Sequence, residues 1–490
     1  MSVVLFSPYI FSAEEGKYVE FSAKSGGSYN TAFVIPFPQH TLSNNDTLML
    51  TQGDKIVEFS AESVLLWPES DSIRSLLIKV PKGITANAEY RLDWSSPKQQ
   101  SIKTFNDDVV LVIGIELPRN WLANILYAPL LVDDRKIDNW FDNAYLNFSS
   151  FVTDEEKISA SKRKIPTLDT PSPWLYDRPF TLYQLYLKTG DESIKVEAQR
   201  AAQFYLGNIN NDGYFTLKKG ADLKYLTSQG LLMDYIFNPR ASIRNVIEKF
   251  YQNSLVWPTQ YKLSTRFWTE RHLSIALAAA INYWELTSSK QAKQRINDLI
   301  SGTMSSLYMY SDKQSGCVAH HRGAHEGGKA KDLVCSPWMN ALLTAQLWRY
   351  YQLTGDVSSK QLIKAFTNQV INNGTYIAKG NHIAGLTIPY YLSFFEPSIY
   401  QDDNPWSDMH HACDVAGMVA TGTYLAKIDN ENIDNNFLML DKLLTTCKRS
   451  MGLKKNSSVW LIYPLRKFNW WFNGNGNLNW LLQQSGYYSK

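Results

Sequence analysis

The sequence predicts two kinds of fold in one chain: an N-terminal antiparallel β-sandwich or barrel, followed by an α/α toroid, a closed ring of helical hairpins. Three observations predict this arrangement. The chain has 490 residues, more than one typical core accommodates. Apolar residues alternate along the first 115 residues but recur with helical spacing from about residue 171 onward. A turn motif also repeats at long intervals through the helical part.

The predicted β domain covers residues 1–115. Alternating segments at 18–23, 48–51 and 56–59 are separated by Gly, Pro, Asn and Asp. Turn signals about every ten residues favour a sandwich or a small barrel. The apolar run at 107–114 is typical of a buried strand and closes the domain.

Two motifs in this domain carry a resemblance to a known group. Residues 33–38 read Phe-Val-Ile-Pro-Phe-Pro, and residues 67–74 read Trp-Pro-Glu-Ser-Asp-Ser-Ile-Arg. The segment resembles the opening β domain of the exo-rhamnogalacturonan lyase and YetA-like group, in which a P-F-P strand precedes a W-P-D-G-S-x-R turn. Here Glu-Ser-Asp replaces the Asp-Gly pair. No catalytic residue is implied by this resemblance.

Two segments flank the predicted ring. Residues 116–170 read as a connector, with a short helix at 140–145 and an exposed charged loop at 157–164. Residues 456–490 are rich in aromatic side chains and are expected to pack on the toroid.

The ring itself is predicted for residues 171–455 from a repeated helix end. An aromatic residue stands three positions before Thr189, Thr287 and Thr354, and residues 424–429 carry a degraded copy. A second helix is expected after each turn, at 195–206, 291–308, 360–370 and 436–447, with a further pair at 228–237 and 243–254. Five or six such pairs would close into a ring. This architecture resembles the α/α-toroid polysaccharide lyases and the six-hairpin glycosidases, which implies the fold without fixing the reaction.

The candidate site is predicted from clustered histidines. Six of the eight histidines lie in the glycine-rich loop 316–328 or just ahead of two long helices, at 268–272 and 406–411. Equivalent helix starts lie at the same end of a ring, so these segments and those at 174–178 and 336–340 should meet around its mouth. Histidine is suited to proton transfer near neutral pH, which indicates an enzyme.

The chemistry expected at this mouth is β-elimination on a uronic-acid polysaccharide. Helix N-termini and arginines favour an anionic ligand, and aromatic faces stack on sugars. Such a lyase needs a group that neutralises the carboxylate, a base and an acid. The catalytic candidates are His272, His321, Arg322, His325, His410, Tyr176 and Arg271. The substrate-binding candidates are Trp174, Arg178, Trp268, Glu270, Glu326, Trp338, Asp408 and His411.

Each candidate also has a structural interpretation. Glu270 and Arg271 could cap and pair at a helix start. His410 and His411 could be ordinary residues of a helix end, and one of the adjacent pair His320 and His321 must point away from any common target. The tryptophans ahead of the helices could join neighbouring helices instead of binding sugar.

Three other functions compete with a lyase. A glycoside hydrolase could use two carboxylates from among Glu270, Glu326, Asp408 and Asp177. A metal enzyme could use His321 and His325 with a nearby cysteine, although the spacing matches no standard zinc pattern. A non-catalytic glycan-binding or phage-tail protein would grip the glycan without forming a product.

Composition restricts the remaining partners. The formal charge is +3 without a basic run, so nucleic acid is not expected, and no apolar run is long enough to span a membrane. No cofactor, metal or oligomeric state is predicted. The four cysteines lack a C-x-x-C pair and are expected to be buried free thiols. No signal peptide is visible, which leaves a cytoplasmic location, a virion, or a chain cloned without its leader.

Overall fold

The computed structural model describes twelve stretches of the chain. These are residues 17–27, 29–94, 100–105, 113–125, 138–153, 168–260, 269–307, 316–326, 331–380, 383–394, 404–452 and 464–489. The predicted exposed loop at 157–164 and most of the apolar run at 107–114 lie outside them.

The N-terminal region forms one mainly antiparallel sheet of nine strands. Its order is β2-β6-β5-β8-β3-β7-β1-β9, with β4 on β3, and β5 pairs with β8 in parallel. Its strands are β1 Tyr18–Ala23, β2 Thr31–Pro36, β3 Thr47–Gln52, β4 Lys55–Val57, β5 Ser60–Leu66, β6 Ile73–Val80, β7 Glu89–Asp93, β8 Gln100–Thr104 and β9 Ile115–Glu116.

The two edges of this sheet are linked through one short segment. The Ile113 N–H donates to Ala32 O on β2, while Gly114 O accepts from Lys24 N at the end of β1. The sequence left open a sandwich and a barrel, and these hydrogen bonds describe a single, nearly closed sheet.

Helices dominate the rest of the chain. Short strands also form two small sheets: β10 His320–His321, β11 Leu333–Cys335 and β14 Ser393–Phe394 in one, and β12 Thr375–Ile377 with β13 Thr387–Pro389 in the other. The helices are α1 Arg119–Leu122, α2 Trp140–Thr153, α3 Arg178–Thr189, α4 Glu192–Gly207, α5 Gln229–Phe237, α6 Ala241–Ser254, α7 Glu270–Thr287, α8 Lys290–Leu307, α9 Arg322–Glu326, α10 Pro337–Thr354, α11 Val357–Asn373, α12 Pro405–Asp408, α13 Ala412–Ile428, α14 Asp434–Gly452, α15 Pro464–Phe472 and α16 Leu478–Ser485. Single 3-10 turns occur at Ser172–Trp174, Leu223–Tyr225, Met409–His411 and Tyr487–Ser489.

The repeated turn motif ends three of these helices as predicted. Thr189, Thr287 and Thr354 are the last residues of α3, α7 and α10. Each threonine hydroxyl donates to the carbonyl four residues earlier. The next residue, Gly190, Ser288 or Gly355, adopts a left-handed conformation that ends the helix.

The long helices form a closed ring of pairs. Contacts run from α3 to α5, α7, α10, α13 and α15, and α15 returns to α3. The outer partners α4, α6, α8, α11 and α14 each pack on the inner helix that precedes them. The sixth outer position is filled by α2, which packs on α15, so the connector and the C-terminal segment together complete the ring.

The β sheet is joined to the ring by a buried ion pair. Arg74 on β6 reaches Glu285 near the end of α7, with Nη1 and Oε2 2.6 Å apart, and neither side chain is exposed. Glu285 also contacts Arg349 of α10 at 2.5 Å. Ser75 adds a hydrogen bond to the carbonyl of Ile236 on α5. The sheet therefore covers the end of the ring at which α7 and α10 finish.

The prediction of free thiols was wrong. Cys317 is bonded to Cys335, and Cys413 is bonded to Cys447. Widely spaced cysteines gave no sign of pairing in the sequence, because the ring fold brings them together only in three dimensions. None of the helices in the described part of the chain is both long and apolar enough to cross a bilayer.

Candidate active site

A cavity occupies the centre of the ring. It contains about 710 Å³ of empty space, including the part open to solvent, and residues at or before all six inner helices line it. Five residues on one face of α7 follow it from the mouth inward: Arg271, Ser274, Ile275, Ala278 and Asn282. At 1.5 Å of rise per helical residue, this face extends about 16 Å along the ring axis.

Aromatic rings converge at the end of the ring where the inner helices begin. Tyr176 precedes α3, Trp338 begins α10, His411 precedes α13 and Trp470 lies on α15. The Tyr176 ring centroid is 6.3 Å from that of Trp338 and 5.4 Å from that of Trp470. His411 stacks on Trp338 at 4.4 Å. Three of the four predicted clusters thus meet at one mouth.

Arg271 brings the fourth cluster to the same place. Its guanidinium carbon lies 5.9 Å from the Trp338 ring centroid, and the residue lines the cavity. Burial alone would lower the pKa of Arg271, but the charge and hydrogen bond of Tyr176, with smaller contributions from Tyr391 and Asp222, raise it. Arg271 is therefore a permanent cation beside the phenol of Tyr176.

Tyr176 is held over the cavity by an unusual backbone. Tyr176 and Asp177 have φ values of 68° and 55°, a left-handed region that disfavours L side chains. The Asp177 carboxylate fixes this turn by accepting from the N–H groups of Phe180 and Gly230, both at 3.1 Å. A Cβ on Gly230 would lie 2.4 Å from Phe180 N, so α3 and α5 can approach this closely only with glycine there. Burial raises the pKa of Asp177 to about 6, although these hydrogen bonds lower it.

A histidine and an aspartate pair behind the aromatic rings. His411 Nδ1 lies 3.2 Å from Asp414 Oδ2, and Asp414 lines the cavity. Burial raises the pKa of Asp414 well above its usual value, although the charge of Lys467 opposes this. Lys467 Nζ stands 3.9 Å from the Trp470 ring centroid.

Glu270 performs a structural task. One carboxylate oxygen accepts from Ser336 N at 2.7 Å, and the other lies 3.1 Å from His320 Nε2. Both the Glu270 and the His320 side chains are fully buried. Burial would lower the pKa of His320, but Glu270 raises it. The pair fixes the starts of α7 and α10 against β10.

Two predicted catalytic histidines, the half-buried His272 and the buried His410, are neutral at neutral pH. Burial, together with the positive charges of Arg271 and Lys224, lowers the pKa of His272 to about 3. Burial and Lys467 lower the pKa of His410 to about 3 as well. Neither residue is among the described residues that line the cavity.

Three predicted binding residues lie in packed surroundings. Trp174 stacks on Phe204 with centroids 4.9 Å apart, and its indole N–H donates to Leu168 O. Arg178 is 2% exposed, and burial lowers its pKa to about 9. Asp408 accepts from the Tyr376 hydroxyl at 2.9 Å and holds the segment ahead of α13.

The glycine-rich loop contributes less to the cavity than the sequence suggested. His321 and Arg322 are half-buried at β10 and the start of α9, and neither is among the described residues that line the cavity. His325 and Glu326 are part of α9, but their side chains, like all of Trp268, lie outside the described part of the chain. No group of three or more His, Cys, Asp and Glu in the described ranges is arranged to hold a metal ion.

The inner end of the cavity is polar. Asn282 Nδ2 donates to Ser228 Oγ at 2.8 Å, and Asn282 Oδ1 accepts from Arg349 Nη1 at 2.7 Å. Arg349 is in turn paired with Glu285, which also holds Arg74.

Several cavity residues were not predicted from the sequence. Asp414, Trp470, Ser228 and Asn282 line the cavity, yet each lies within or beside a helix without a motif that marks it. The helical spacing of Arg271, Ser274, Ala278 and Asn282 is the signal that could have found Asn282.

Comparison with known proteins gives structural likenesses only. No protein-family model matches the chain, and no curated protein matches it. Among solved structures, it is similar to a glycosyl hydrolase family 88 protein from Bacteroides vulgatus, with 9% identity, a TM-score of 0.43, and coverage of 69% of this chain and 99% of that one.

Two further similar structures represent other enzyme classes. A polysaccharide lyase shares 11% identity at a TM-score of 0.44, covering 69% of this chain and 98% of that one. Cellobiose 2-epimerase from Bacillus thermoamylovorans shares 12% identity at a TM-score of 0.46, covering 69% of this chain and 99% of that one. The reaction has to be argued from the residues of this chain.

Proposed function

We propose that this protein is a glycan-degrading enzyme that cleaves a uronic-acid-containing saccharide by β-elimination. One observation carries the proposal: Tyr176 and Arg271 both lie against Trp338 within an aromatic mouth, and both line the cavity enclosed by the ring. A phenol beside a permanent cation supplies both the proton transfer and the charge neutralisation that the reaction requires.

The mouth has the chemical character that an acidic sugar needs. Trp470 lines the cavity and is nearly parallel to the buried Trp338, with an interplanar angle of 13°, and its flat aromatic face suits the C–H face of a pyranose. Arg271 and Lys467 place positive charge against these rings. An anionic saccharide can therefore gain both stacking and ion pairing at one position.

The proposed reaction assigns separate tasks to Arg271 and Tyr176. Arg271 pairs with the uronate carboxylate, which makes the C5 proton more acidic by stabilising the negative charge that develops when it leaves. Tyr176, as a phenolate stabilised by Arg271, accepts this proton. The C4–O4 bond then breaks as the C4–C5 double bond forms, and Tyr176 returns the proton to the departing O4. Tyr176 thus replaces the histidines as the base.

His411 and Asp414 support this arrangement from behind. Asp414 orients the His411 imidazole through Nδ1, and His411 stacks on Trp338. His411 also stacks on Trp470 with ring centroids 5.5 Å apart, and this contact fixes the indole plane on which the sugar rests. His411 is thus a positioning residue in the proposal.

A glycoside hydrolase is the second candidate, and a specific observation favours it. Asp177 and Asp414 both line the cavity, and burial raises the pKa of each. A carboxylic acid that keeps its proton near neutral pH can act as a general acid in glycoside hydrolysis.

The deciding experiment is incubation with galacturonan, alginate and a glucuronate-containing glycosaminoglycan. A lyase produces an unsaturated uronyl end that absorbs in the ultraviolet, while a hydrolase produces new reducing ends without this absorbance. Y176F should lower the lyase rate by about 10²- to 10⁴-fold, as loss of a general acid–base does. Y29F, at an 81% exposed tyrosine, is the matched control.

The result that would contradict the lyase proposal is equally specific. Reducing ends released without ultraviolet absorbance, with activity lost in D414N and kept in Y176F, would establish the hydrolase instead.

A further inference from the structure

We propose that the central cavity is a blind pocket that receives the end of a saccharide chain, with the Ser228 hydroxyl donating a hydrogen bond to the terminal sugar at its floor. The inference rests on the proposed function, and it adds that the enzyme acts from a chain end.

The sides of the cavity are closed by the ring itself. Residues at or before α3, α5, α7, α10, α13 and α15 all line it, and each of these helices contacts its neighbours around the ring. A polymer cannot lie across such a cavity as it lies in an open cleft.

The floor is closed one helical turn beyond the last lining residues. Asn282 on α7 and Gln346 on α10 line the cavity, and three residues further along these helices stand Glu285 and Arg349, 2.5 Å apart. Arg74 from β6 meets the same glutamate from below. All three side chains are at most 4% exposed, so a saccharide that enters at the mouth has no exit at the other end.

The hydrogen bonds at the floor have a fixed direction. Arg349 can only donate, so it donates to Asn282 Oδ1, and Asn282 then donates through Nδ2 to Ser228 Oγ. Ser228 Oγ accepts in this chain of bonds, which leaves the hydroxyl proton of Ser228 to donate elsewhere. Ser228 lines the cavity, so this proton is available to an oxygen of a bound sugar.

A second serine in the same cavity differs in one respect. Ser274 also lines the cavity, but its hydroxyl donates to Leu342 O at 2.9 Å. The hydroxyl proton of Ser274 is thereby occupied within the protein. The two serines form a matched pair in which only Ser228 can donate to a ligand.

The first test follows product size on the polymer that reacts in the panel described above. A blind pocket predicts that the smallest saccharide is released from the first turnovers, while the remaining polymer shortens slowly. A polymer blocked at both chain ends should react at least tenfold more slowly than the unblocked one. Early release of long fragments, or equal rates on both polymers, would overturn the inference while leaving the lyase reaction intact.

The second test compares S228A with S274A. With the trimer of the reacting polymer as substrate, or with the galacturonate trimer in calorimetry if no polymer reacts, S228A should raise KM or Kd about tenfold. S274A should change either constant less than twofold. A thermal melt of both variants establishes that each remains folded.

The outcomes separate this inference from the proposed function. Equal effects of S228A and S274A would show that the Ser228 hydroxyl does not bind the terminal sugar, whether or not an unsaturated product forms. A selective effect of S228A on trimer binding supports the floor contact even if the reaction proves to be hydrolysis.

Discussion

The two ends of the ring differ in the way they use charge. At the mouth, Arg271 is half-buried beside aromatic rings, and its charge faces the cavity. At the floor, Arg74 and Arg349 share the carboxylate of Glu285, and all three side chains are buried. The same residue type therefore lines the cavity at one end and attaches the sheet to the ring at the other.

This difference follows from what each end contacts. Apart from Trp470, near the end of α15, the mouth is formed by helix starts, where the N–H groups and partial positive charge of the first turn favour an anionic ligand. The helix ends carry partial negative charge and are covered by the β sheet, so cations from the sheet complement them. Substitutions at the mouth should therefore change catalysis, and those at the floor should change stability.

The largest expected effect is on catalysis and comes from R271A. In the proposed reaction Arg271 neutralises the uronate, so its removal should lower kcat/KM about 10³-fold, or about 4 kcal/mol of transition-state stabilisation. The melting temperature should stay near that of the parent. R200A, at an arginine whose side chain is 69% exposed on α4, is the control. Equal losses of activity in R271A and R200A would contradict a role for Arg271 at the mouth.

The next effect is on stability and comes from E285Q. Loss of this carboxylate leaves two buried guanidinium groups without their ion-pair partner, which should lower the free energy of unfolding by about 4 kcal/mol. E58Q is the control, because Glu58 pairs with Lys82 at the surface and its side chain is 68% exposed. Its loss should cost less than about 1 kcal/mol. Denaturant unfolding of both variants measures the two losses of stability. Similar unfolding midpoints for E285Q and E58Q would contradict the predicted difference.

Local patterns predicted the framework of the ring well. Thr189, Thr287 and Thr354 were identified as helix ends because a threonine followed by a turn is a local signal. The convergence of Tyr176, Arg271, Trp338 and His411 was also predictable, since equivalent helix starts in a ring lie at one end.

The sequence could not assign the tasks within the site. Glu270 and Arg271 are adjacent, yet one is buried against His320 and the other lines the cavity. The direction of each side chain depends on contacts with segments about 50 to 95 residues away. The two disulfides and the place of Asp414 in the cavity could not be predicted for the same reason. Their surroundings exist only after the ring has closed.

The third prediction concerns the disulfide next to the mouth. Cys413 stands between His411 and Asp414 and ties α13 to α14 through Cys447. The double variant C413S/C447S should lower the free energy of unfolding by about 3 kcal/mol, because the crosslink restricts the unfolded chain. Calorimetry of this variant and of C317S/C335S measures the contribution of each disulfide to stability separately. An unchanged transition in both variants would show that neither bond contributes to stability.

The smallest effect concerns His410, which lies close to the mouth but is packed in the protein interior. Its pKa is about 3 in the folded chain and about 6.5 in the unfolded one, so the unfolded state binds more protons between these values. Stability is then lost as the pH falls below 6.5, by about 2 kcal/mol at pH 5. H410N removes this contribution, so its stability relative to the parent should rise by that amount between pH 7 and pH 5. H40N, at an exposed histidine, is the control, and urea unfolding at both pH values is the measurement. A constant difference between H410N and the parent would mean that His410 is accessible to protons in the folded protein, and it would then belong with the mouth rather than with the core.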